Sequence, residues 1–245
     1  MNDNIKIIAE DENYLVVNKP AGLAVHGANF NQESTLADWL IDNYPNLAQV
    51  GEPLKLPAGR LVLKPGLVHR LDKDTSGVMI IAKNQETFFF FKEQFQARQT
   101  QKIYRAILAG ELKLTKDDLA VIDLPIGRSK KDPRRRVASA KAFGPLREAV
   151  TEYKLLENLS GFSYVEAYPK TGRTHQLRAH FKALNHPIVC DKLYTERPVC
   201  PTPLARQALH ALALVINVPR GGRMSFEAPI PADMASALEN LRTSC

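Results

Sequence analysis

The sequence has few cysteines and no apolar run that approaches the length of a membrane span. Its three cysteines, Cys190, Cys200 and Cys245, show no paired spacing. Reduced thiols are therefore expected rather than a disulfide framework. The first residues also lack the basic and apolar segments of a signal peptide. Together these absences predict a cytoplasmic protein that makes no use of a membrane.

Signatures of nucleotide and metal sites are missing as well. The glycines Gly59, Gly66 and Gly77 are isolated, and no P-loop or GxGxxG segment occurs. No CxxC pair occurs, and His175 and His180 are five positions apart, a spacing that does not bring two side chains onto one helical face. We expect neither a cofactor nor a bound metal.

Positive charge is what the chain does have. Lysine and arginine together number 33 against 26 acidic residues, for a net charge of +7 over 245 residues. This balance favours a polyanionic partner, although basic proteins that bind no nucleic acid also exist. The densest charge lies at 128–136, where Asp132-Pro133 predicts a loop. Without interleaved aromatics, this run fits attraction to an RNA backbone or a solvent-exposed loop.

Strand patterns outnumber helix patterns, and hairpin connections predominate over strand–helix–strand crossovers. This arrangement is typical of an α+β fold with a mainly antiparallel sheet. The length allows one large domain or two small ones. Helices are predicted at 35–42 with Ser34 as N-cap, after Asn84 through 98, at 174–184 and at 231–241, and strands at 5–9, 14–17, 101–109, 151–156, 162–168, 208–218 and 223–227.

The segment 69–77, with the sequence HRLDKDTSG, is a polar loop between two apolar stretches. Asp72 follows apolar Leu71 in this loop, with Arg70 shortly before it and Lys73 directly after it. Neighbouring positive charges favour the ionised form of a carboxylate. The residue types alone fit a nucleophile, a structural acid that excludes phosphate, half of an ion pair, or a turn aspartate that bonds its own backbone.

This loop resembles the signature of the RluA-type RNA pseudouridine synthases, in which the aspartate is catalytic. Three more segments match in the order that family requires: KIYRA at 102–106, KTGRTHQLRAH at 170–180 and LHAL at 209–212. The resemblance covers nearly the whole chain. It implies the α+β pseudouridine synthase fold, a mixed, mainly antiparallel bent sheet flanked by helices with a central catalytic cleft, as a single catalytic domain over 1–245 without a cofactor.

The resemblance also assigns catalytic roles. Asp72 is the catalytic residue, acting at C6 of the base or at C1′ of the sugar. Tyr104 stacks on the flipped uracil and is a candidate base for the C5 proton, whereas its residue type alone favours a core aromatic. Arg178 pairs with Asp72 and keeps it ionised and oriented, with Arg173 as the alternative partner.

Further residues are expected to bind the substrate. Arg70 fills the space that an everted nucleotide leaves, or else contacts phosphate. Leu177 forms an apolar wall beneath the base. The remaining members of the predicted substrate-binding set are His69, Lys102, Arg173 and His175.

The target is expected to be RNA. The loop at 69–77 and the APIP stretch at 228–231 resemble RluD-like members, which modify large-subunit ribosomal RNA. Those members usually carry an N-terminal S4 RNA-binding domain, which this sequence is not expected to have, so a transfer-RNA target stays open. A monomer is expected. The rival functions are a non-catalytic RNA-binding or assembly factor and a carboxylate-dependent glycoside or nucleoside hydrolase.

Overall fold

The structure, a computed structural model, describes residues 5–27, 34–55 and 61–243. The strands in chain order are β1 Lys6–Glu10, β2 Tyr14–Lys19, β3 Leu54–Lys55, β4 Leu61–Val62, β5 Ser76–Ala82, β6 Gln101–Ala109, β7 Ala120–Asp123, β8 Ile126–Arg128, β9 Arg136–Ala138, β10 Phe143–Arg147, β11 Val150–Leu159, β12 Phe162–Pro169, β13 Leu209–Val218 and β14 Gly222–Glu227. The helices are α1 Leu36–Asn43, α2 Gln85–Gln96, α3 Gln176–Ala183 and α4 Ala232–Thr243, with a 3-10 helix at Pro45–Gln49.

The chain divides into two compact units. The first unit comprises Met1–Thr100 and Ala213–Ala228, and the second comprises Gln101–Leu212 and Pro229–Cys245. Strand β13 therefore begins in the second unit and ends in the first. The prediction of one catalytic domain over 1–245 stays a prediction.

The first unit is built around β5. Every residue of β5 is buried, which is typical of an apolar strand covered on both faces. Strand β2 pairs antiparallel with β5 on one side and with β1 on the other, and β13 and β14 form an antiparallel hairpin. Phe88 and Phe91 of α2 pack into the same core as Val16 and Ile80. The core thus holds β5, and with it the end of the loop that precedes it.

Capping residues set where the helices of this unit begin. The Asn84 side chain accepts the Thr87 N–H at 2.9 Å, so the predicted N-cap of α2 is confirmed. The N-cap of α1 is Thr35, and the prediction of Ser34 is wrong. Thr35 forms a capping box with Asp38, in which each side chain accepts the other's backbone N–H.

The second unit contains antiparallel strands in the order β6-β12-β11-β7. Burial alternates along β12, so one face of the sheet lies on a core. Leu177 and Phe181 of α3 and Met234 and Leu238 of α4 pack into that core. The strand predicted at 101–109 matches β6, and the predicted α+β architecture with mainly antiparallel strands is confirmed.

A small separate sheet in the second unit has the order β10-β8-β9. The charged segment predicted as a loop spans the end of β8 and the start of β9. Its middle is a turn, in which the Arg135 N–H donates to the Asp132 carbonyl at 3.0 Å. The loop prediction therefore holds for 129–135, while Arg128 and Arg136 belong to strands. Among the described residues, no helix is long and apolar enough to span a bilayer.

Candidate active site

The loop that carries Asp72 lies in the first unit and leads into β5. Leu71 is buried, Asp72 is half-buried and Arg70 is exposed. The Asp72 carbonyl accepts the Thr75 N–H at 3.1 Å, which closes a turn. The leucine anchors the loop while its neighbours stay accessible. This arrangement suits a carboxylate that must meet a substrate.

A buried lysine outside the signature holds this loop in place. The Lys19 side chain is fully buried, and its Nζ donates to the carbonyls of Pro20 and Leu23 at 2.8 Å and of Lys73 at 3.0 Å. Burying an ammonium group is costly unless its donors are satisfied, and these carbonyls satisfy them. The bond to Lys73 ties the residue after Asp72 to the end of β2. Sequence reasoning missed Lys19, whose signal is a charge at the end of a mainly apolar strand.

His69 braces the same loop. Its Nε2 accepts the Ile80 N–H at 3.0 Å, and its ring stacks on Phe95 of α2 with centroids 4.7 Å apart and planes at 19°. Because a backbone N–H can only donate, Nε2 carries no proton. His69 therefore joins the loop to β5 and α2. Its predicted contact with substrate stays a prediction.

Arg70 belongs to a group of three basic side chains in the first unit, here called the His26 cluster: His26, Lys64 and Arg70. Burial, then the charges of Arg70 and Lys64, lower the pKa of His26 to about 4. Burial and the charge of Arg70 also lower the pKa of Lys64. The His26 Nδ1 is buried and has no hydrogen-bond partner among the described residues. The charges of Lys64 and Arg70 favour an anionic ligand. Sequence reasoning did not single out His26.

In the second unit, Gln176 fixes the loop that precedes α3. Its Oε1 accepts from the Thr171 hydroxyl at 2.6 Å and from the Arg173 N–H at 3.0 Å, and its Nε2 donates to the Val150 carbonyl at 3.0 Å. The helix was predicted to begin at 174, but it begins at Gln176. The cause is His175, the N-cap, whose φ of 56° is left-handed and incompatible with the helix.

Arg178 is buried and bound by an acid that sequence reasoning missed. Its Nε and Nη2 donate to Asp191 Oδ2 and Oδ1 at 2.6 and 2.8 Å, a bidentate pair. Asp191 Oδ1 also accepts the N–H groups of Leu193 and Tyr194. The Tyr194 ring lies 5.0 Å from the guanidinium carbon. These contacts orient Arg178, and its pairing with Asp72 stays a prediction.

Tyr194 also connects α3 to the small sheet. Its hydroxyl accepts the Arg136 N–H at 2.9 Å and lies 3.3 Å from His175 Nδ1. Arg173 lies beside this link, and its Nε donates to the Glu148 carbonyl at 3.0 Å. The predicted residues Arg173 and His175 are thus held by the protein itself, and their contact with substrate stays a prediction.

Strand β6 supplies two more of the predicted residues. Tyr104 is half-buried, pairs with Ala167 of β12 and packs against the core of the second unit. Lys102 Nζ donates to the Thr171 carbonyl at 3.0 Å, so it reaches the loop that Gln176 fixes. Leu177 is buried in the core. Lys102, Arg173, His175 and Arg178 are therefore grouped around one loop and helix.

His180 follows Arg178 on α3 and is structural. Its Nδ1 lies 2.9 Å from the Thr151 hydroxyl, and its Nε2 lies 3.0 Å from the Leu124 carbonyl. Burial lowers the pKa of His180. His180 therefore joins α3 to β11 and to the chain before β8 through a neutral ring. This structural role accounts for a histidine in the motif without a metal.

The expectation of unpaired thiols is wrong for two of the three cysteines. Cys190 and Cys200 form a disulfide in the structure. A separation of ten residues is not a spacing that identifies a pair. Tertiary packing of the segment after α3 brings the two together. The bridge encloses the stretch that carries Asp191 and Tyr194.

A sequence model of a family described as RNA pseudouridylate synthase matches residues 13–183. The chain belongs to this family. The matched stretch includes Asp72, Tyr104 and Arg178, so the RNA pseudouridylate synthase family is recognised over both the carboxylate loop and helix α3. Asp191 and Tyr194 lie beyond the matched stretch. Their contacts to Arg178 come from the structure alone.

Relatives in this family are longer than the chain. An uncharacterized RNA pseudouridine synthase of Chloroflexus aurantiacus is 42% identical over 226 residues, covering 92% of this chain and 66% of its own length. The ribosomal large subunit pseudouridine synthase D of Nitrosomonas europaea is 37% identical over 245 residues, covering 97% of this chain and 65% of its own length. The chain thus spans about two thirds of the length of these relatives.

A solved structure of the family carries the same fold. Human RNA pseudouridylate synthase domain containing 4 is 27% identical, with a TM-score of 0.70 over 96% of this chain and 92% of that chain. The predicted pseudouridine synthase fold is confirmed.

Proposed function

We propose that the chain is an isomerase that converts uridine in structured RNA to pseudouridine. The reaction breaks the N1–C1′ bond, turns the uracil and joins C5 to C1′. N1 gains a proton and C5 loses one, so substrate and product are isomers and no electrons are exchanged. Membership of the RNA pseudouridylate synthase family supports this reaction.

The observation that carries the proposal is the half-buried Asp72 in its anchored turn before β5. An ionised carboxylate can start the reaction by adding to C6 of the base or by attacking C1′ of the sugar. Both routes need a fixed acid with an accessible side chain. Lys19 and His69 hold the loop in place, and the exposed Arg70 lies where RNA can contact it.

Tyr104 and Arg178 complete the proposed catalytic set. The half-buried Tyr104 offers a face for stacking the uracil and a hydroxyl for the C5 proton. Arg178, which Asp191 holds in place, is proposed to orient the ionised Asp72. Arg178 is preferred to Arg173 because a buried carboxylate orients it, whereas the Arg173 Nε donates to a backbone carbonyl.

The proposed RNA target is large-subunit ribosomal RNA. Several relatives carry that target in their names, including the protein of Nitrosomonas europaea. The net charge of +7 suits any structured RNA. Transfer RNA is the alternative target with the same chemistry. The protein is proposed to act in the cytoplasm, where either RNA is found.

Replacing Asp72 tests the reaction. In Asp72→Asn, pseudouridine formation should fall by a factor on the order of 10⁴, because the essential nucleophile is lost while the shape of the loop is kept. RNA binding should stay near the wild-type level. Isomerisation by the variant at more than a few per cent of the wild-type rate would refute the role of Asp72. Release of free uracil by the wild type would favour a hydrolase instead.

A deletion strain tests the target. Pseudouridines are mapped in total RNA from cells with and without the gene, and from cells that carry the Asp72→Asn form. The proposal requires at least one position in large-subunit RNA that depends on Asp72. If pseudouridines are lost from transfer RNA alone, transfer RNA is the target. An unchanged pseudouridine map with altered ribosome assembly would indicate a non-catalytic factor.

Arg70→Ala tests the everted nucleotide. If Arg70 fills the vacated stack, its loss should slow turnover on a folded RNA more than on an unpaired oligonucleotide, because extrusion costs a few kcal/mol only in the folded RNA. Equal losses on the two substrates would assign Arg70 to phosphate contact.

A further inference from the structure

A pocket of the second unit gathers four arginines and one aromatic ring. Its volume is about 640 Å³, and its lining includes Arg128, Arg136, Arg147, Arg173 and Phe143. No carboxylate is among the residues that line it. This pocket, named the Arg128 pocket, therefore carries four formal positive charges with no acid facing them from its lining.

Strand register builds most of this pocket. Arg128 of β8 lies opposite Arg136 of β9 on one side and Phe143 of β10 on the other. Directly opposed residues share a face of the sheet. Gly127 allows the close approach of the chain around β10, since a Cβ there would come within 2.7 Å of the Ala142 Cβ. Arg173, from the loop before α3, closes the pocket.

Two of the four guanidinium groups donate to backbone carbonyls. Arg136 Nη1 donates to the carbonyls of Pro133 and Arg135, and Arg173 Nε donates to the Glu148 carbonyl. Within the described ranges, no hydrogen bond or ion pair engages the side chain of Arg128 or Arg147. Like charges held together without counter-charge are unfavourable in the free protein and favour binding of a polyanion.

The ring indicates which polyanion. Phe143 is 55% exposed, and Lys130 Nζ lies 5.9 Å from its centroid. A guanidinium binds phosphate bidentately. An exposed aromatic beside such groups offers a platform for a nucleobase, but only a base that is not already stacked in a duplex. Guanidinium groups and an open ring in one pocket match single-stranded RNA.

We propose that the Arg128 pocket binds an unpaired RNA segment that flanks the modified uridine. Arg128 and Arg147 hold its phosphates, and Phe143 stacks on one of its bases. This inference rests on the proposed function, because it gives the pocket the same RNA as substrate. The Arg136 N–H bonds the Tyr194 hydroxyl, and the Tyr194 ring lies against Arg178. The pocket is thus joined to the helix that carries a proposed catalytic residue.

Salt dependence of binding tests the arginines. Fluorescence anisotropy of the full chain with a labelled single-stranded RNA of roughly ten nucleotides gives the slope of log K against log salt. In the double variant Arg128→Gln/Arg147→Gln the slope should become shallower by about 1.4, since each phosphate contact to a single strand contributes about 0.7. Lys113→Gln/Lys116→Gln removes the same charge from exposed positions outside the pocket and is the control. Equal slopes for the two double variants would overturn the proposal.

Substitution of Phe143 tests the base contact. Phe143→Leu should weaken binding of the single strand roughly tenfold with an unchanged salt slope, and Phe143→Trp should keep the wild-type affinity. A blunt RNA duplex should bind all three proteins alike. Wild-type affinity of Phe143→Leu, or an equal loss on the duplex, would overturn the assignment to unpaired RNA.

A product assay separates this proposal from the proposed function. If the wild type forms pseudouridine and the pocket variants bind and turn over as the control does, the pocket proposal fails alone. If the variants lose single-strand binding but the wild type forms no product on any RNA, the reaction fails and the pocket stands. Urea midpoints of the variants should match that of the wild type, because the substituted side chains are exposed.

Discussion

The carboxylate loop and helix α3 hold their proposed catalytic groups in opposite ways. In the first unit a buried cation, Lys19, orders the backbone carbonyls around the loop of Asp72. In the second unit a buried anion, Asp191, forms an ion pair directly with the cation Arg178. Because Lys19 binds the backbone, Asp72 can be replaced without disturbing the loop. Because Arg178 and Asp191 bind each other directly, loss of either one should destabilise helix α3.

This difference predicts which substitutions damage the fold. Asp72→Asn alters a half-buried side chain on a loop that other groups hold, so the variant should fold. Changes to Asp191 or Lys19 remove the support itself. Unfolding free energies of variants at these positions test this contrast.

The largest effect is expected for Asp191→Ala. The variant leaves the Arg178 guanidinium buried without its carboxylate, and breaking a buried pair from one side costs about 3 to 5 kcal/mol. Urea unfolding measures the loss. Glu157→Ala removes a carboxylate that pairs with Arg242 at 2.7 Å on the surface of the same unit, where about 1 kcal/mol or less is expected. Similar losses in the two variants would contradict the comparison.

Lys19→Met should cost about 2 to 3 kcal/mol. It removes a donor from three carbonyls, two of them belonging to Pro20 and Leu23, and leaves buried acceptors unsatisfied. Turnover should fall further than RNA affinity, because the misplaced loop carries Asp72. The control is Lys83→Met, whose Nζ bonds Glu10 at 2.8 Å with 23% of the side chain exposed. If Lys19→Met loses no more unfolding free energy than Lys83→Met does, the three carbonyls do not need the cation.

Tyr194→Phe is expected to cost about 1 kcal/mol. The ring stays beside Arg178, but the hydroxyl that accepts the Arg136 N–H is lost. Tyr153→Phe is the control, because the Tyr153 hydroxyl makes no hydrogen bond within the described part of the chain although its ring is buried. Affinity for single-stranded RNA should fall slightly in Tyr194→Phe alone. An unchanged unfolding midpoint would show that the hydrogen bond between Tyr194 and Arg136 contributes nothing to stability.

Much of the architecture could be predicted from local patterns. The bounds of β6 follow from its apolar and aromatic residues, and the cap of α2 follows from an asparagine before an apolar repeat. The motif at 170–180 identified Arg178. Such signals lie within a few residues of the element that they predict.

The partners of the predicted residues could not be found in this way. Asp191 reaches Arg178 because the chain reverses after α3, with left-handed backbone at Asn185 and Cys190. Phe143 faces Arg128 through strand register alone. Periodicity shows which face a residue occupies but not which side chain meets it across the fold. The same limit hid the Cys190–Cys200 bridge.

The smallest effect is a pH dependence that His26 adds to stability. Burial and the charges of Arg70 and Lys64 lower the pKa of the folded His26 to about 4, below the usual value of 6.5. Between these values the unfolded chain binds the proton and the folded protein does not, so stability is full above pH 6.5 and falls as the pH drops. Solvent screening of this half-buried ring reduces the contribution between pH 7 and 5 to about 1 kcal/mol.

His26→Gln should remove the pH dependence that His26 contributes, while the loss of stability caused by buried His180 persists. The test is the difference in unfolding free energy between the two proteins at each pH. A difference that stays constant from pH 7 to 5 would mean that folding does not lower the pKa of His26.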